Sequence, residues 1–143
     1  MKEVEIYIDG ASKGNPGPSG IGVVICQDGQ TIKNISSYIG NTTNNVAEYT
    51  ALIYGLQEGL ILKADYIKIN TDSQLLYRQI NKVYKTKNPN ILGLYNQALH
   101  IMSAFKEAKI NHISRQLNRG ADKLATQAVN KALKKNLNTT GRK

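Results

Sequence analysis

The sequence has no tryptophan and only one cysteine, Cys26. A lone cysteine cannot form a disulfide within the chain, so the fold does not depend on disulfides. A single cysteine in a chain of this size also fits a reducing, cytoplasmic setting. Because Cys26 ends the apolar run Ile21–Cys26, we expect it to be a small buried apolar residue. With 41% hydrophobic residues among 143, the chain can bury an ordinary core of one domain.

Long apolar stretches are also missing. The N-terminus enters an alternating, strand-like segment, Val4-Glu5-Ile6-Tyr7-Ile8, and not the apolar stretch of a signal peptide. No run approaches the roughly 20 apolar residues of a membrane-spanning helix. We therefore expect no membrane association.

Acidic residues are scarce, with 10 Asp and Glu against 19 Lys and Arg and a net charge of +9. This excess favours a polyanionic partner, most simply nucleic acid, although a generally basic soluble protein is an alternative. The few acids in apolar or uncharged surroundings are therefore candidates for chemistry.

The first part of the chain predicts three strands joined by turns. A turn-rich loop over residues 10–20 follows the first strand, and Asp28-Gly29 is a strong hairpin signal. We expect an antiparallel meander with strands at residues 3–9, Ile21–Gln27 and Thr31–Ile39.

The rest of the chain alternates helical and strand-like patterns. The predicted elements are a helix from about Asn45 to Leu60, a strand Tyr66–Asn70, a helix capped by Ser73 and ending near Asn81, a helix Ile91–Lys106, a strand Lys109–Ser114, and a helix capped by Asn118 and ending near Lys135.

Strands joined by helical crossovers lie parallel in one sheet. The predicted fold class is thus α/β: a five-stranded mixed sheet, with three antiparallel strands and then two parallel ones, and helices on both faces. We expect one domain over residues 1–136 and a basic, polar tail over residues 137–143 that frays.

Four acids lie at predicted strand ends and helix starts that can meet at one edge of the sheet. Asp9 ends the first strand and Asp72 follows the fourth, so both belong at the carboxyl ends of strands that can be neighbours. Glu48 lies one turn into the first helix and Asp122 in the first turn of the last helix, and both helices can reach the same edge. Clustered carboxylates repel one another without a cation, and oxygen ligands suit Mg²⁺ or Mn²⁺. Two such ions, roughly 3.5–4 Å apart, can promote phosphodiester hydrolysis.

Each acid also has a purely structural interpretation. Asp9 could belong to an ordinary Asp-Gly turn, and Asp72 could cap the following helix. Glu48 and Asp122 could simply favour the positive ends of their helices.

At these acids the sequence resembles type 1 ribonuclease H over nearly its whole length. The matching motifs, in the order of the family, are Asp9-Gly10-Ala11-Ser12, Gly14-Asn15-Pro16-Gly17-Pro18-Ser19-Gly20, Thr42-Thr43-Asn44-Asn45-Val46-Ala47-Glu48-Tyr49, Thr71-Asp72-Ser73-Gln74 and Arg115-Gln116-Leu117-Asn118-Arg119-Gly120-Ala121-Asp122-Lys123-Leu124-Ala125.

The resemblance implies a ribonuclease H-like fold and an endonuclease that cuts the RNA strand of RNA–DNA hybrids, leaving 3′-hydroxyl and 5′-phosphate ends. It implies two Mg²⁺ or Mn²⁺ ions held by the catalytic acids Asp9, Glu48, Asp72 and Asp122. The glycine-rich loop lacks the Gly-Lys-Ser/Thr ending of a P-loop, so nucleotide binding is not indicated.

The resemblance also implies contacts with the hybrid. Backbone and amide groups that face the minor groove can bond to the 2′-hydroxyl, which distinguishes RNA from DNA. The matching residues are Gly10, Ser12, Asn15, Asn44, Asn45 and Gln74. Thr43 matches a position that helps to hold a DNA phosphate. Loop and cap chemistry is the alternative for these residues, with Thr43 or Asn44 as a helix cap.

The chain departs from the family in two places. Many bacterial members have a basic, tryptophan-rich protrusion, and the segment Lys82–Asn90 is too short to hold one. This segment is either a partial substitute for the protrusion or only a solvated loop, and its basic residues are Lys82, Lys85 and Lys87. We predict weaker and more salt-sensitive hybrid binding than in members with the protrusion.

Many members also place a mobile histidine before the last acid, and residues 117–121 contain none. His112 is predicted to be a structural strand residue and His100 to lie on a helix, at the surface or the core edge. Arg115 and Asn118 resemble a family variant with a short arginine-containing loop. Arg115 could approach a phosphate or the reaction centre, or only form a surface salt bridge or a cap.

Three other functions compete with the hybrid-specific nuclease. The fold could serve as a hybrid-binding module with weak or lost catalysis, as a DNA-directed resolvase, integrase or transposase domain, or as a reverse-transcriptase-like domain from a polyprotein. The presence of all four acids argues against a binding module without catalysis. The Gly14–Gly20 loop together with the Asn44-Asn45 pair argues against a DNA-directed enzyme. The start at Met1, which suggests a complete chain, argues against a domain cut from a polyprotein. A monomer is the expected state.

Overall fold

Five strands form one mixed sheet in the computed structural model, which describes residues 1–81 and 88–140. The strand order is β3-β2-β1-β4-β5. The elements are β1 (Glu3–Ser12), β2 (Gly17–Gln27), β3 (Gln30–Thr42), α1 (Asn44–Ile61), β4 (Tyr66–Thr71), α2 (Gln74–Ile80), α3 (Pro89–Met102), β5 (Glu107–His112) and α4 (Arg119–Thr140), with a 3₁₀ turn at Arg115–Asn118.

The strand pairing confirms the predicted topology. β1, β2 and β3 form the antiparallel meander, and β1, β4 and β5 are parallel. Ile8 of β1 pairs with Thr71 of β4, so the next residues, Asp9 and Asp72, lie at the same level. β1 continues to Ser12, so the prediction that Asp9 ends the first strand was wrong, whereas Asp72 does follow the end of β4. The sheet register therefore places these two acids side by side.

Helices cover both faces of the sheet, as predicted. Gly55 of α1 lies against Ile6 and Ile8 of β1 on one face. On the other face, α4 crosses β2 so closely that a Cβ atom on Gly22 would overlap the Ala121 carbonyl oxygen. α3 packs against α1. The sheet is therefore held at fixed distances from the two helices that carry Glu48 and Asp122.

The core lies between the sheet and α1. Alternate apolar residues in the first part of β1 and the second part of β2 are fully buried, and α1 contributes one apolar stripe. Burial stabilises the fold by about 1.5–3 kcal/mol for each large apolar side chain. The largest of these side chains are Tyr49, Ile6, Ile8, Ile21, Ile25, Leu52 and Leu56. This core fixes the strand ends from which the acids project.

Some predicted boundaries were wrong. β3 continues past Ile39 to Thr42, paired with the start of β2. α3 ends at Met102 and not at Lys106, and β5 begins earlier, at Glu107. The reason is that the Lys106 N–H donates to the Asp65 carbonyl at 2.9 Å, which joins this segment to the residue that precedes β4.

The final helix also extends beyond the predicted end at Lys135 and reaches Thr140. Residues 121–140 contain neither Gly nor Pro, and Gly141 is the first residue that favours termination. Residues 137–140 of the predicted tail are therefore helical, and residues 141–143 lie outside the described residues. The division at residue 136 stays a prediction.

Cys26 is half-buried, and the prediction of a buried residue was wrong. Its neighbour Ile25 faces the core, so by strand alternation Cys26 points to the opposite face, where its Sγ atom lies 3.7 Å from the Thr31 hydroxyl. There it borders a cavity of about 200 Å³ beside the start of α4.

Two further predictions concern the basic loop and membrane association. The basic loop with Lys82, Lys85 and Lys87 lies outside the described residues. Within the described ranges, no helix combines the length and the apolar character needed to cross a membrane.

Candidate active site

Three carboxylates meet at the carboxyl ends of β1 and β4. The ligand oxygens of Asp9, Glu48 and Asp72 all lie within 4.8 Å of one another. Asp9 and Glu48 are only 5% and 9% exposed, whereas Asp72 is half-buried. Buried charges at this spacing require a cation or protons, so the arrangement has a chemical and not merely a structural character.

Glu48 reaches the cluster because α1 starts directly against β1. The Thr43 hydroxyl accepts a hydrogen bond from the Val46 N–H at 3.2 Å and caps the helix. Gly10 then allows close contact, since a Cβ atom there would lie 2.5 Å from the Ala47 carbonyl carbon and the Glu48 nitrogen. Gly10 therefore sets the distance between Asp9 and Glu48.

Asp122 stands at the rim of this cluster. It lies in the first turn of α4, is not among the three tightly grouped acids, and shares a side-chain hydrogen bond with Asp9. Its Oδ1 atom is 3.7 Å from the Arg115 guanidinium. The sequence predicted that four acids converge; the structure groups three and places the fourth beside them.

The close carboxylates shift the protonation of the two most buried acids. Burial, the charge of Asp72 and the hydrogen bond with Asp122 raise the pKa of Asp9 to about 8. Burial and the neighbouring Asp9 also raise the pKa of Glu48 well above its ordinary value. Without a cation, the cluster therefore retains protons near neutral pH.

This protonation predicts a pH-dependent stability for the metal-free protein. The Asp9 pKa is 3.8 ordinarily and about 8 in the fold, so between these values the folded state binds more protons. The free energy of unfolding must therefore decrease as the pH rises from about 4 to about 8. Asp9→Asn removes this ionisation, so in EDTA its Tm should exceed that of the wild type by ~3 °C or more at about pH 9, and by less at about pH 5.

Thermal unfolding followed by circular dichroism at both pH values measures this difference. Equal Tm differences at the two pH values would contradict the proposed ionisation of Asp9.

The donor set fits a hard divalent cation. All the available ligand atoms are carboxylate oxygens, as Mg²⁺ and Mn²⁺ prefer. The Glu48 Oε2 atom is buried and has no hydrogen-bond partner among the described residues. A bound cation would supply that partner and neutralise the repulsion.

The cluster forms the floor of an open groove of about 620 Å³. Most of the residues expected to contact the hybrid line it together with the four acids. They are Gly10, Ser12, Asn15, Asn44, Asn45 and Arg115. The groove is thus edged by amides and backbone groups on one side and by an arginine on the other.

The residues of the first loop also hold it in place. The Ser12 hydroxyl lies 2.6 Å from the Gly14 carbonyl oxygen and 3.0 Å from the Thr42 carbonyl oxygen, and the Asn15 Oδ1 atom accepts from the Asn44 N–H at 3.0 Å. These bonds tie the loop to the start of α1. The Asn45 Oδ1 atom is buried and has no hydrogen-bond partner among the described residues.

Two of the expected contact residues lie outside the groove lining. Thr43, and not Asn44, caps α1. Gln74 is exposed at the first turn of α2, which Ser73 caps through the Leu76 N–H at 3.2 Å. Asp72 is therefore not the cap of this helix, and one structural interpretation of that acid is wrong.

One residue near the site was not foreseen, and another has a different role from the predicted one. Thr126 lines the groove one helical turn after Asp122, a spacing of four residues that could have revealed it. Asn118 is 1% exposed and its Nδ2 atom donates to the Ile8 carbonyl at 2.8 Å, directly before Asp9. The prediction that Asn118 caps the last helix was wrong, because its side chain instead turns inward to bind β1.

Neither histidine lines the groove. His112 is the last residue of β5, which confirms its placement in a strand, and its ring centroid is 5.8 Å from that of Tyr77. His100 is exposed on α3.

Comparison with known proteins identifies the family. A family model described as reverse transcriptase-like matches residues 7–128. A ribonuclease H of Caldanaerobacter subterraneus is 34% identical over 148 residues, which cover 93% of this chain and 95% of that protein. The chain belongs to the ribonuclease H family.

Solved structures of family members match closely. The RNase H1 of the halophilic archaeon Halobacterium salinarum superposes with a TM-score of 0.87 at 36% identity, covering 90% of this chain and 98% of that one. LC11-RNase H1, solved in complex with an RNA/DNA hybrid, gives a TM-score of 0.85 at 42% identity, covering 91% and 99%. The ribonuclease H fold is therefore shared over nearly the whole chain.

The chain is shorter than some of its full-length relatives. It spans 65% of the halobacterial ribonuclease HI, at 37% identity, and 36% of a bifunctional protein of Mycobacterium tuberculosis, at 40% identity.

Proposed function

We propose that this protein is a metal-dependent endoribonuclease that hydrolyses the RNA strand of RNA–DNA hybrids and leaves 5′-phosphate and 3′-hydroxyl ends. The observation that carries the proposal is the grouping of Asp9, Glu48 and Asp72 within 4.8 Å at the floor of an amide-lined groove. The resemblance to LC11-RNase H1, which was solved with an RNA/DNA hybrid, supports the choice of substrate.

The four acids would hold the metal ions. Asp9, Glu48 and Asp72 provide the grouped oxygens, and Asp122 provides another at the rim. When bound, two Mg²⁺ or Mn²⁺ ions supply activation of a water molecule and stabilisation of the leaving oxygen. The protein holds these carboxylates on two strand ends and two helix starts, so their positions are fixed before the substrate arrives.

The groove edge would select RNA. The amides of Asn15, Asn44 and Asn45 and the backbone at Gly10 and Ser12 surround the acids. Such groups can donate to and accept from a 2′-hydroxyl, which is absent from DNA.

Two residues outside the groove lining extend the proposed contacts. Gln74, exposed beside Asp72, would contact a neighbouring nucleotide. The Thr43 hydroxyl accepts from Val46 and keeps its own proton to donate to a DNA phosphate. Both contacts would place the hybrid across the start of α1 and the start of α2.

Arg115 would stabilise negative charge on the reacting phosphate. Its side chain is 81% exposed and lies 3.7 Å from Asp122, so this ion pair contributes little to stability. Arg115→Ala should therefore lower kcat by about 10-fold or more, with the Tm unchanged and KM changed much less. Lys109→Ala, which removes a charge remote from the groove, is the control; unchanged turnover in Arg115→Ala would exclude this role.

End-group analysis of the products tests the proposed chemistry. A hybrid incubated with Mg²⁺ or Mn²⁺ should yield RNA fragments that carry 5′-phosphates and can be extended from their 3′-hydroxyls, and EDTA should stop the reaction. Fragments with 3′-phosphates would overturn the proposed cleavage. Tight binding without cleavage in either metal would instead identify a hybrid-binding module on this fold.

A further inference from the structure

Most of the net positive charge of the chain lies in its last segment. Residues 119–143 contain seven Lys and Arg and a single acid, Asp122, so they carry six of the nine net charges. Five of the seven cations belong to the part of α4 whose side chains the structure describes: Arg119, Lys123, Lys131, Lys134 and Lys135. The cleavage groove uses none of them.

These cations share the solvent face of α4. Ala121, Ala125 and Ala128 are buried against the sheet, and all five basic residues are exposed. At 100° for each residue, Arg119, Lys123, Lys131 and Lys134 fall within an arc of about 120° opposite the buried stripe. In the described part of α4 no acid lies on this arc, so Lys123, Lys131 and Lys134 have no acidic residue at the i,i+4 spacing that usually neutralises a solvated helix face.

A second groove of about 620 Å³ runs beside this face, between α4 and β3. Its polar lining includes Tyr38, Gln127, Asn130 and Lys131. Tyr38 is 41% exposed. Hydroxyls, amides and ammonium groups are the side chains that most often contact phosphate and sugar oxygens in nucleic-acid complexes.

The basic face of α4 adjoins the cleavage groove. Thr126 lines that groove, and Asn130, one turn further along α4, lines the second one. The Lys13 ammonium, from the loop that edges the cleavage groove, lies 3.4 Å from the Asn130 Oδ1 atom. From Asp122 to Lys134, α4 extends about 18 Å, which corresponds to about five base-pair steps of a duplex.

We propose that Lys123, Lys131 and Lys134, with the α4–β3 groove beside them, bind the sugar–phosphate backbone of an RNA–DNA hybrid several base pairs beyond the cleaved bond. This proposal rests on the proposed function for its choice of duplex. This surface recognises the charge of the backbone and not the base sequence. It adds affinity for the hybrid on the side of the protein away from α2 and α3.

Hybrid binding by a triple variant tests the proposal. The variant Lys123→Gln, Lys131→Gln, Lys134→Gln is compared with Lys63→Gln, Lys106→Gln, Lys109→Gln, which removes three exposed lysines near the opposite ends of the strands. Affinity for a hybrid of about 20 base pairs is measured in EDTA over a series of salt concentrations. Each phosphate contact contributes about 0.9 to the slope of log K against log salt.

The α4 variant should bind at least ~10-fold more weakly at low salt, and its salt slope should fall by about 2–3. The control variant should keep the wild-type slope. Replacing the same three α4 residues with Arg should restore both quantities, because charge is preserved. Equal losses in the α4 and control variants, or no loss in either, would overturn the proposal.

The binding measurement is independent of cleavage, so the two proposals can fail separately. If the α4 variant shows the lower salt slope but the wild type never cleaves hybrids, the proposed α4 binding surface stands and the proposed nuclease activity is rejected. If the wild type cleaves hybrids but the α4 variant keeps the wild-type slope, the nuclease activity stands and the α4 surface is rejected.

Discussion

Replacing Asp9 with Asn is expected to reduce hybrid cleavage by about 10³-fold or more, while the affinity for the hybrid in EDTA falls little. Asp9 is the centre of the acidic cluster, since it lies close to Glu48 and Asp72 and shares a hydrogen bond with Asp122. The amide is similar in size but lacks the negative charge that holds a cation. Single-turnover cleavage and equilibrium binding of the same hybrid measure the two effects separately.

Asp28→Asn is the matched control for that substitution. It removes the same charge at an exposed hairpin turn, where residue 28 has a φ of 54°, a left-handed conformation that Asn adopts readily. Cleavage by this variant should equal that of the wild type. If Asp9→Asn retained a tenth of the wild-type rate, the acidic cluster would not be the catalytic centre.

Gly10→Ala is expected to damage both stability and activity. The new methyl group would lie 2.5 Å from the Ala47 carbonyl carbon and the Glu48 nitrogen, both backbone atoms that cannot rotate away. Relief requires the first turn of α1 to move from β1, which costs about 1–3 kcal/mol of unfolding free energy. The movement displaces Glu48 from Asp9, so cleavage should fall by about 10²-fold.

Gly93→Ala serves as the control for this variant. Gly93 lies in α3, and a Cβ atom there would meet nothing within 4 Å. Alanine stabilises a helix interior by about 1 kcal/mol relative to glycine, so the Tm should rise and activity should not change. Denaturant unfolding and cleavage assays test both variants, and a Gly10→Ala protein as active as Gly93→Ala would show that the Asp9–Glu48 spacing is not critical.

Local patterns made much of the fold predictable. The Asp28-Gly29 hairpin, the helical spacing after Val46 and the crossover rule together predict a five-stranded mixed sheet. They leave open which strands are neighbours, and the pairing of β1 with β4, which brings Asp9 beside Asp72, comes from the structure. The Ser73 cap was also predictable, because a serine before a helical pattern has a local signature.

Features that depend on distant contacts were not predictable in this way. The inward turn of Asn118 toward the Ile8 carbonyl depends on a partner 110 residues away, and nothing in the local sequence distinguishes it from a helix cap. Likewise, α3 ends early because the Lys106 N–H binds Asp65 on another element. The rim position of Asp122 results from how closely α4 crosses Gly22, which is a property of packing.

We expect this protein to cut RNA only when the RNA is paired with DNA. The most direct test is cleavage of a hybrid labelled separately on each strand, with Mg²⁺ or Mn²⁺, beside RNA–RNA and DNA–DNA duplexes of the same sequence. We expect metal-dependent loss of the RNA strand of the hybrid alone, and no loss with Asp9→Asn. Cleavage of the DNA strand or of the DNA duplex, or no cleavage of the hybrid with either metal, would contradict the claim.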